Sequence, residues 1–237
     1  MTPRLYARIA GAQYLITIVL GATEEFAIRG RIMVSGNAAA TAANLKSMES
    51  LWRLGIASEL FLAITTIVFA WILYRLLRPV NRDLALLMTF FALTAIAVET
   101  AYALHLVQAL FPLGNAASLN AFTPDQLAAL ATMSMKAHGI GFGIALLVFG
   151  PFFLIAGYLV FKSGYFPRAL GILYLIPGVS YMTSSLALIL APAFAARYYF
   201  VIAGPAIIGE GALCLWLLVK GIRAERWEDL SPAGGGA

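Results

Sequence analysis

Charge is what this chain has least of. Asp, Glu, Lys and Arg make up 11% of its 237 residues, against 62% apolar ones; a soluble domain carries about 25% charged and about 45–50% apolar residues. A soluble fold of this size could not hide so much hydrocarbon, because much of its surface must face water. The scarcity excludes a soluble enzyme, a disordered chain and a nucleic-acid binder, and leaves a polytopic membrane protein. Cysteine is nearly missing too. Cys214 stands alone, so there is no internal disulfide and no cysteine metal site; in its apolar stretch it reads as a small core residue. The net charge is +5, yet the basic residues sit at the ends of apolar stretches and form no stripe. They mark topology, not a phosphate-binding patch.

A bilayer is crossed by about 20 helical residues. Apolar runs between basic or turn residues give six candidate spans, at about 8–29, 52–75, 83–110, 138–161, 168–190 and 198–220, followed by a tail at 221–237. The fold class expected is an all-α, six-helix transmembrane bundle forming a single polytopic domain over 1–237. Breakers separate the spans: Arg78-Pro79-Val80-Asn81, Phe111-Pro112-Leu113-Gly114-Asn115, Ser163-Gly164-Tyr165-Phe166-Pro167 and Ala191-Pro192. Arg4 and Arg8 before an apolar run give the N-terminus a signal-peptide look, but Leu20-Gly21-Ala22-Thr23 is a poor cleavage site and the first span reads as retained. With a cytoplasmic N-terminus, ten basic residues fall inside and six outside, and Phe111–Met135 carries no Lys or Arg. That asymmetry places both termini on the cytoplasmic side.

Two segments on the outer side are more than connectors. From about 37 to 51 there are no breakers after Asn37, and Leu45, Met48 and Trp52 share a helical face, which reads as a short helix lying in the interface and able to serve as a lid. Thr123-Pro124-Asp125-Gln126 combines an N-cap, a proline at the first helical position and a glutamine three residues after the cap. A helix starts there and can run straight into the fourth span. The segment Arg8–Ile16 also matches Arg168–Ile176 at Arg, Gly, Tyr, Leu and Ile. Either these are parallel repeats, or both converge on an interfacial Arg, a packing Gly and a belt Tyr.

The residues a membrane tolerates least carry the functional argument. Spans one, two, three and six have no charge-free stretch long enough to cross, so each must contain a glutamate: Glu24 or Glu25, Glu59, Glu99 and Glu210. At about 1.5 Å of rise per residue, Glu24, Glu59 and Glu99 lie ~24–26 Å from the basic ring, in one layer with Ser184 and Ser185, while Glu210 lies ~15 Å up. His105, Lys136 and His138 fall just above that layer; Arg29, Arg53 and Arg197 close its rim. Acids crowded in low dielectric must be neutralised by protons or paired cations. The layer is then a structural network in which Arg53, Lys136 and Arg197 pair the acids, or a polar cavity open to the outside that binds something, with Glu24 and Glu25 also able to snorkel. The candidate binding residues are Glu24, Glu25, Arg53, Glu59, Glu99, Tyr102, His105, Lys136, His138, Ser184 and Glu210.

Metal chemistry has weak support. Glu59, Glu99, His105, His138 and Glu210 are suitable ligands for zinc or non-haem iron, but Glu99 and His105 are six apart and no HExxH or ExxH pattern occurs. No cofactor is expected on the main reading. No nucleophile elbow surrounds Ser134, Ser180, Ser184 or Ser185, and Lys136 at the boundary reads as a salt bridge or anchor. The glycines read as packing. Gly139, Gly141, Gly143 and Gly150-Pro151 smooth and bend span four, Pro177-Gly178 kinks span five, and Gly204-Pro205, Gly209 and Gly211 surround Glu210.

The stretch Gly157-Tyr158-Leu159-Val160-Phe161-Lys162-Ser163-Gly164-Tyr165-Phe166-Pro167-Arg168-Ala169-Leu170-Gly171, the segment from His138 through Gly150, and Leu76-Leu77-Arg78-Pro79-Val80-Asn81 share a pattern with a known family. So do Ala38 to Asn44 and Leu51-Trp52-Arg53-Leu54-Gly55. By these the chain resembles a large family of small bacterial membrane proteins known only as a domain of unknown function, numbered four-three-eight-six. Asn37 and Glu59 stand where that family often has Asp, so the second position keeps its carboxylate. The resemblance implies six spans in a bacterial cytoplasmic membrane and brings no activity with it. Function rests on the residues: a binding protein or carrier for a small amphipathic or lipid-like ligand, a membrane-embedded hydrolase or transferase with His138 or Glu99 as general base, or a non-catalytic partner protein. The bilayer is the one partner expected in every case.

Overall fold

The computed structural model describes residues 2–230; the last part of the predicted tail, 231–237, lies outside the described residues. The described chain is helical, with no strand. Six helices are long and apolar enough to cross a membrane. They are α1 (Pro3–Ile32), α3 (Glu49–Leu77), α4 (Arg82–Leu113), α5 (Pro124–Lys162), α6 (Arg168–Leu190) and α7 (Pro192–Val219). Two short α-helices, α2 (Ala38–Ser47) after α1 and α8 (Ala224–Leu230) after α7, and a 3-10 turn at Ala117–Ala121 accompany them. The breakers at 78–81 and 163–167 fall between these helices, the one at 111–115 overlaps the last turn of α4, and Pro192 opens α7.

The chain divides into two compact units. The first comprises Met1–Ile16, Thr65–Ala97 and Gly143–Ala237. Its core is built on close helix approach at glycine. Cβ atoms added at Gly157 and Gly171 would lie 2.9 and 2.7 Å from each other's carbonyl oxygens, and at Gly150 and Gly178 3.2 and 2.9 Å. Two glycines seven apart on α5 thus meet two glycines seven apart on α6, a spacing of about two turns on each helix. Lipid offers apolar groups no reason to leave it, so such contact-distance packing is what holds spans together. Gly11 of α1 makes the same approach to the backbone of α7, where an added Cβ would lie 2.5 Å from Leu218 N. The two matched segments, Arg8–Ile16 and Arg168–Ile176, therefore use their shared glycine alike. Their shared tyrosines meet: Tyr14 and Tyr174 are both buried, with hydroxyls 3.4 Å apart.

The C-terminal end of α3 shows how this unit satisfies an orphaned backbone group. Pro79 has no N–H, and the Val80 N–H bonds Leu77 O, leaving Leu76 O without a helical donor. Tyr165 Oη–H donates to it at 2.6 Å and Trp227 Nε1–H at 3.0 Å. Burial pushes the Tyr165 phenol well above its ordinary range, so it acts as a neutral donor. Tyr165→Phe should cost about 1 kcal/mol, and Tyr165→Phe with Trp227→Phe should cost more than the sum of the single changes, because only then is the carbonyl left bare. Unfolding in mixed micelles measures both; additive losses would mean that the two donors do not share that acceptor.

The second unit comprises Thr17–Ile64 and Val98–Phe142. Its apolar core is Ile28, Ile32, Leu45, Trp52, Ile56, Leu106, Ala109 and Met135. The face predicted from Leu45, Met48 and Trp52 is the buried face, with Met48 packed against that cluster. Asn37 caps α2, accepting from Ala40 N at 2.9 Å, and two further bonds tie α2 back to the end of α1: Val34 N to Thr41 Oγ1 at 2.9 Å and Asn44 Nδ2 to Ile32 O at 3.3 Å. The helix ends at Ser47 rather than 51, and α3 follows after Met48. The reciprocal cap at the start of α5 is present, Thr123 N to Gln126 Oε1 at 2.9 Å and Gln126 N to Thr123 Oγ1 at 3.3 Å, and α5 runs unbroken for 39 residues.

Candidate functional site

The site is built where α1 changes its winding. Residues Thr23–Arg29 form a π-helical turn, closed by the Gly30 N–H on Glu25 O. In an α-helix positions five apart sit about 140° round from each other. In the widened turn both the fourth and the fifth preceding residues come beside Arg29. Its Nη1 lies 3.2 Å from Glu25 Oε2 and its Nη2 3.5 Å from Glu24 Oε2. Glu24 is buried and Glu25 exposed. Widened turns of this kind are rare and recur at functional sites.

Arg29 also reaches α3, with Nη2 2.9 Å from Glu59 Oε2. Glu59 is 3% exposed and receives a second partner from α5: His138 Nε2 stands 2.8 Å from Oε1 and 3.1 Å from Oε2. His138, itself buried, lies edge-on to the ring of Tyr102, 4.7 Å between centroids. Tyr102 in turn packs on the backbone of α5, where a Cβ at Gly141 would fall 2.4 Å from Tyr102 Cβ. Glu99 is within electrostatic reach of Glu59, Glu24 and Arg29 but pairs with no cation among the described residues. Four carboxyl groups thus share one guanidinium and one imidazole.

That imbalance has a specific address. Glu24 Oε1 is buried and receives no hydrogen bond at full geometry among the described residues, with the Ser58 hydroxyl the neutral donor that bears on this carboxyl. Glu24 and Arg29 form the polar wall of a small void whose apolar walls are Ile28, Trp52, Ile56 and Leu106. The void has room for about one water molecule. Trp52 is held there by donating Nε1–H to Leu106 O at 2.9 Å, a carbonyl freed because Leu110 N bonds Val107 O instead.

The remaining candidates are placed elsewhere. Arg53, expected to pair the buried acids, pairs with Glu49 at 2.7 Å on an exposed face; Lys136 and Arg197 are exposed, Arg197 lying over the Tyr198 ring at 5.6 Å. The cation that does pair them is Arg29, which its sequence position assigns to the rim. His105 Nδ1 lies 2.7 Å from Gln108 Oε1 and takes no part in the network. Ser184 and Ser185, both buried, and Glu210 belong to the first unit. Of the five weak metal-ligand candidates only Glu59 and His138 touch, and among the described residues no three His, Cys, Asp or Glu side chains gather as a metal would require. No Ser, Thr or Cys side chain bonds to His138 among the described residues.

Six helices long and apolar enough to cross a membrane define a multi-pass helical membrane protein. Residues 9–221 match the family described as a domain of unknown function (DUF4386), and the chain belongs to that family. An uncharacterised protein of Archaeoglobus fulgidus is 27% identical over 168 residues, covering 70% of this chain and 83% of the relative. No solved structure matches the chain.

Proposed function

We propose that this protein binds the cationic head of a small amphipathic or lipid-like molecule at Glu24, with carriage of that molecule as an extension of the same role. It sits in the cytoplasmic membrane of a bacterium with both termini inside and the site toward the outer face, a placement supported by the ten-to-six division of basic residues. The observation that carries the reading is the buried carboxyl of Glu24, which lines a void of about one water's size and whose Oε1 no cation reaches. A primary ammonium is of that size, brings the positive charge that four acids around one arginine lack, and donates the hydrogen bond that Oε1 has not received. A bulkier head does not fit, and an alkyl tail is at home against the apolar helices and lipid.

The probe is dodecylamine, with dodecanol as its uncharged counterpart. In mild detergent, dodecylamine should raise the unfolding temperature of the wild type, dodecanol should not, and Glu24→Gln should fold but lose the amine-specific rise. An equal rise with both probes, or a rise retained in Glu24→Gln, would remove the ammonium site.

A further inference from the structure

A second membrane carboxyl, Glu210 on α7, stands in different company. Helix α7 breaks at Gly204-Pro205, one turn before it. Gly209 is pressed onto α6, where an added Cβ would fall 2.2 Å from Leu173 O and 2.6 Å from Pro177 Cδ. That carbonyl is free because Pro177 has no N–H to return to it. The contact fixes the rotation of α7 and sets the next residue, Glu210, beside the tyrosines of α6. Tyr181 Oη–H donates to Glu210 Oε1. The other titratable groups with electrostatic bearing on Glu210 are Tyr14 of α1, Tyr174 of α6 and Cys214 on its own helix, with Tyr199 standing beside Tyr181. All are neutral when protonated. No Lys, Arg or His pairs with Glu210 among the described residues.

Glu59 and Glu210 thus solve the same problem in opposite ways. Glu59 has a guanidinium and an imidazole; Glu210 has only hydroxyls. A hydroxyl can donate to a carboxylate, but it cannot cancel its charge, and a lone charge in a span is not tolerated without a counter-ion. The group that completes Glu210 must therefore bring positive charge and be small enough to sit on a carboxyl already bonded to Tyr181.

We infer that Glu210 is a proton-binding site, carried as the carboxylic acid against the Tyr181 hydroxyl, with Tyr14 and Tyr174 as its other phenol neighbours, and able to exchange its proton. The site shares no residue with the Glu24 site, so either can fail without the other. Infrared spectroscopy of the protein in lipid tests it. The wild type at neutral pH should show a protonated-carboxyl C=O band that is absent from Glu210→Gln, moves to lower frequency in D2O and gives way to carboxylate bands as the solution turns alkaline. Tyr181→Phe should shift that band without abolishing it, which keeps the assignment testable if Glu210→Gln folds poorly. Carboxylate bands alone at neutral pH would overturn the inference. So would loss of the band on adding sodium at constant pH, since the occupant would then be a metal cation.

Discussion

Replacing Arg29 with Ala should cost about 3 kcal/mol of stability, the scale seen when one partner of a buried ion pair is removed and the other is left uncompensated. Two of the three acids on Arg29 are buried, Glu24 at 5% and Glu59 at 3% exposure. His138 would remain on Glu59, but nothing positive would remain on Glu24. The loss should be largely recovered in Arg29→Ala with Glu24→Gln and Glu59→Gln, because the penalty is the stranded charge and not the missing contact. Unfolding in mixed micelles decides the point. A loss under about 1 kcal/mol, the range of exposed pairs, would show that the acids are neutral without Arg29.

Gly171→Ala should be nearly as damaging, at about 2–3 kcal/mol, toward the upper end of overpacking costs. The added methyl would meet Phe161 N at 2.5 Å and Gly157 O at 2.7 Å. These are backbone atoms of a facing helix, which cannot rotate aside as a side chain can. Gly139→Ala is the control on α5: nothing lies within 4 Å of its Cβ, so its stability should be unchanged or slightly raised. Equal losses at both positions would mean that close contact with the backbone of Phe161 and Gly157 does not set the cost at Gly171.

The spans were legible because each answers to local rules: length against bilayer thickness, prolines and glycines between, a reciprocal cap at Thr123 and Gln126. The face of α2 was legible because Leu45, Met48 and Trp52 follow helical spacing. The presence of acids within spans was legible for the same reason, since no charge-free crossing avoids Glu59 or Glu99. Their partners were not. Rise per residue gives depth but not rotation, so Arg53, Lys136 and Arg197 were expected to pair them and Arg29 only to close the rim. The choice of Arg29 depends on the widened turn at Thr23–Arg29, for which the sequence offers only the spacing of Glu24, Glu25 and Arg29. The same limit kept Glu210 with the other acids, though its neighbours prove to be tyrosines. Depth also could not say which of Glu24 and Glu25 is buried; the same turn decides that.

The winding of α1 has one more consequence. A π turn holds one residue more than the ordinary helix would use to travel the same rise, so α1 carries a surplus residue within Thr23–Arg29. Deleting Phe26 or Ala27 would let the helix close up with ordinary pitch, leaving Glu24 four residues and Glu25 three residues before the arginine, spacings that still share one helical face. The wide turn is thus an insertion absorbed where it stands.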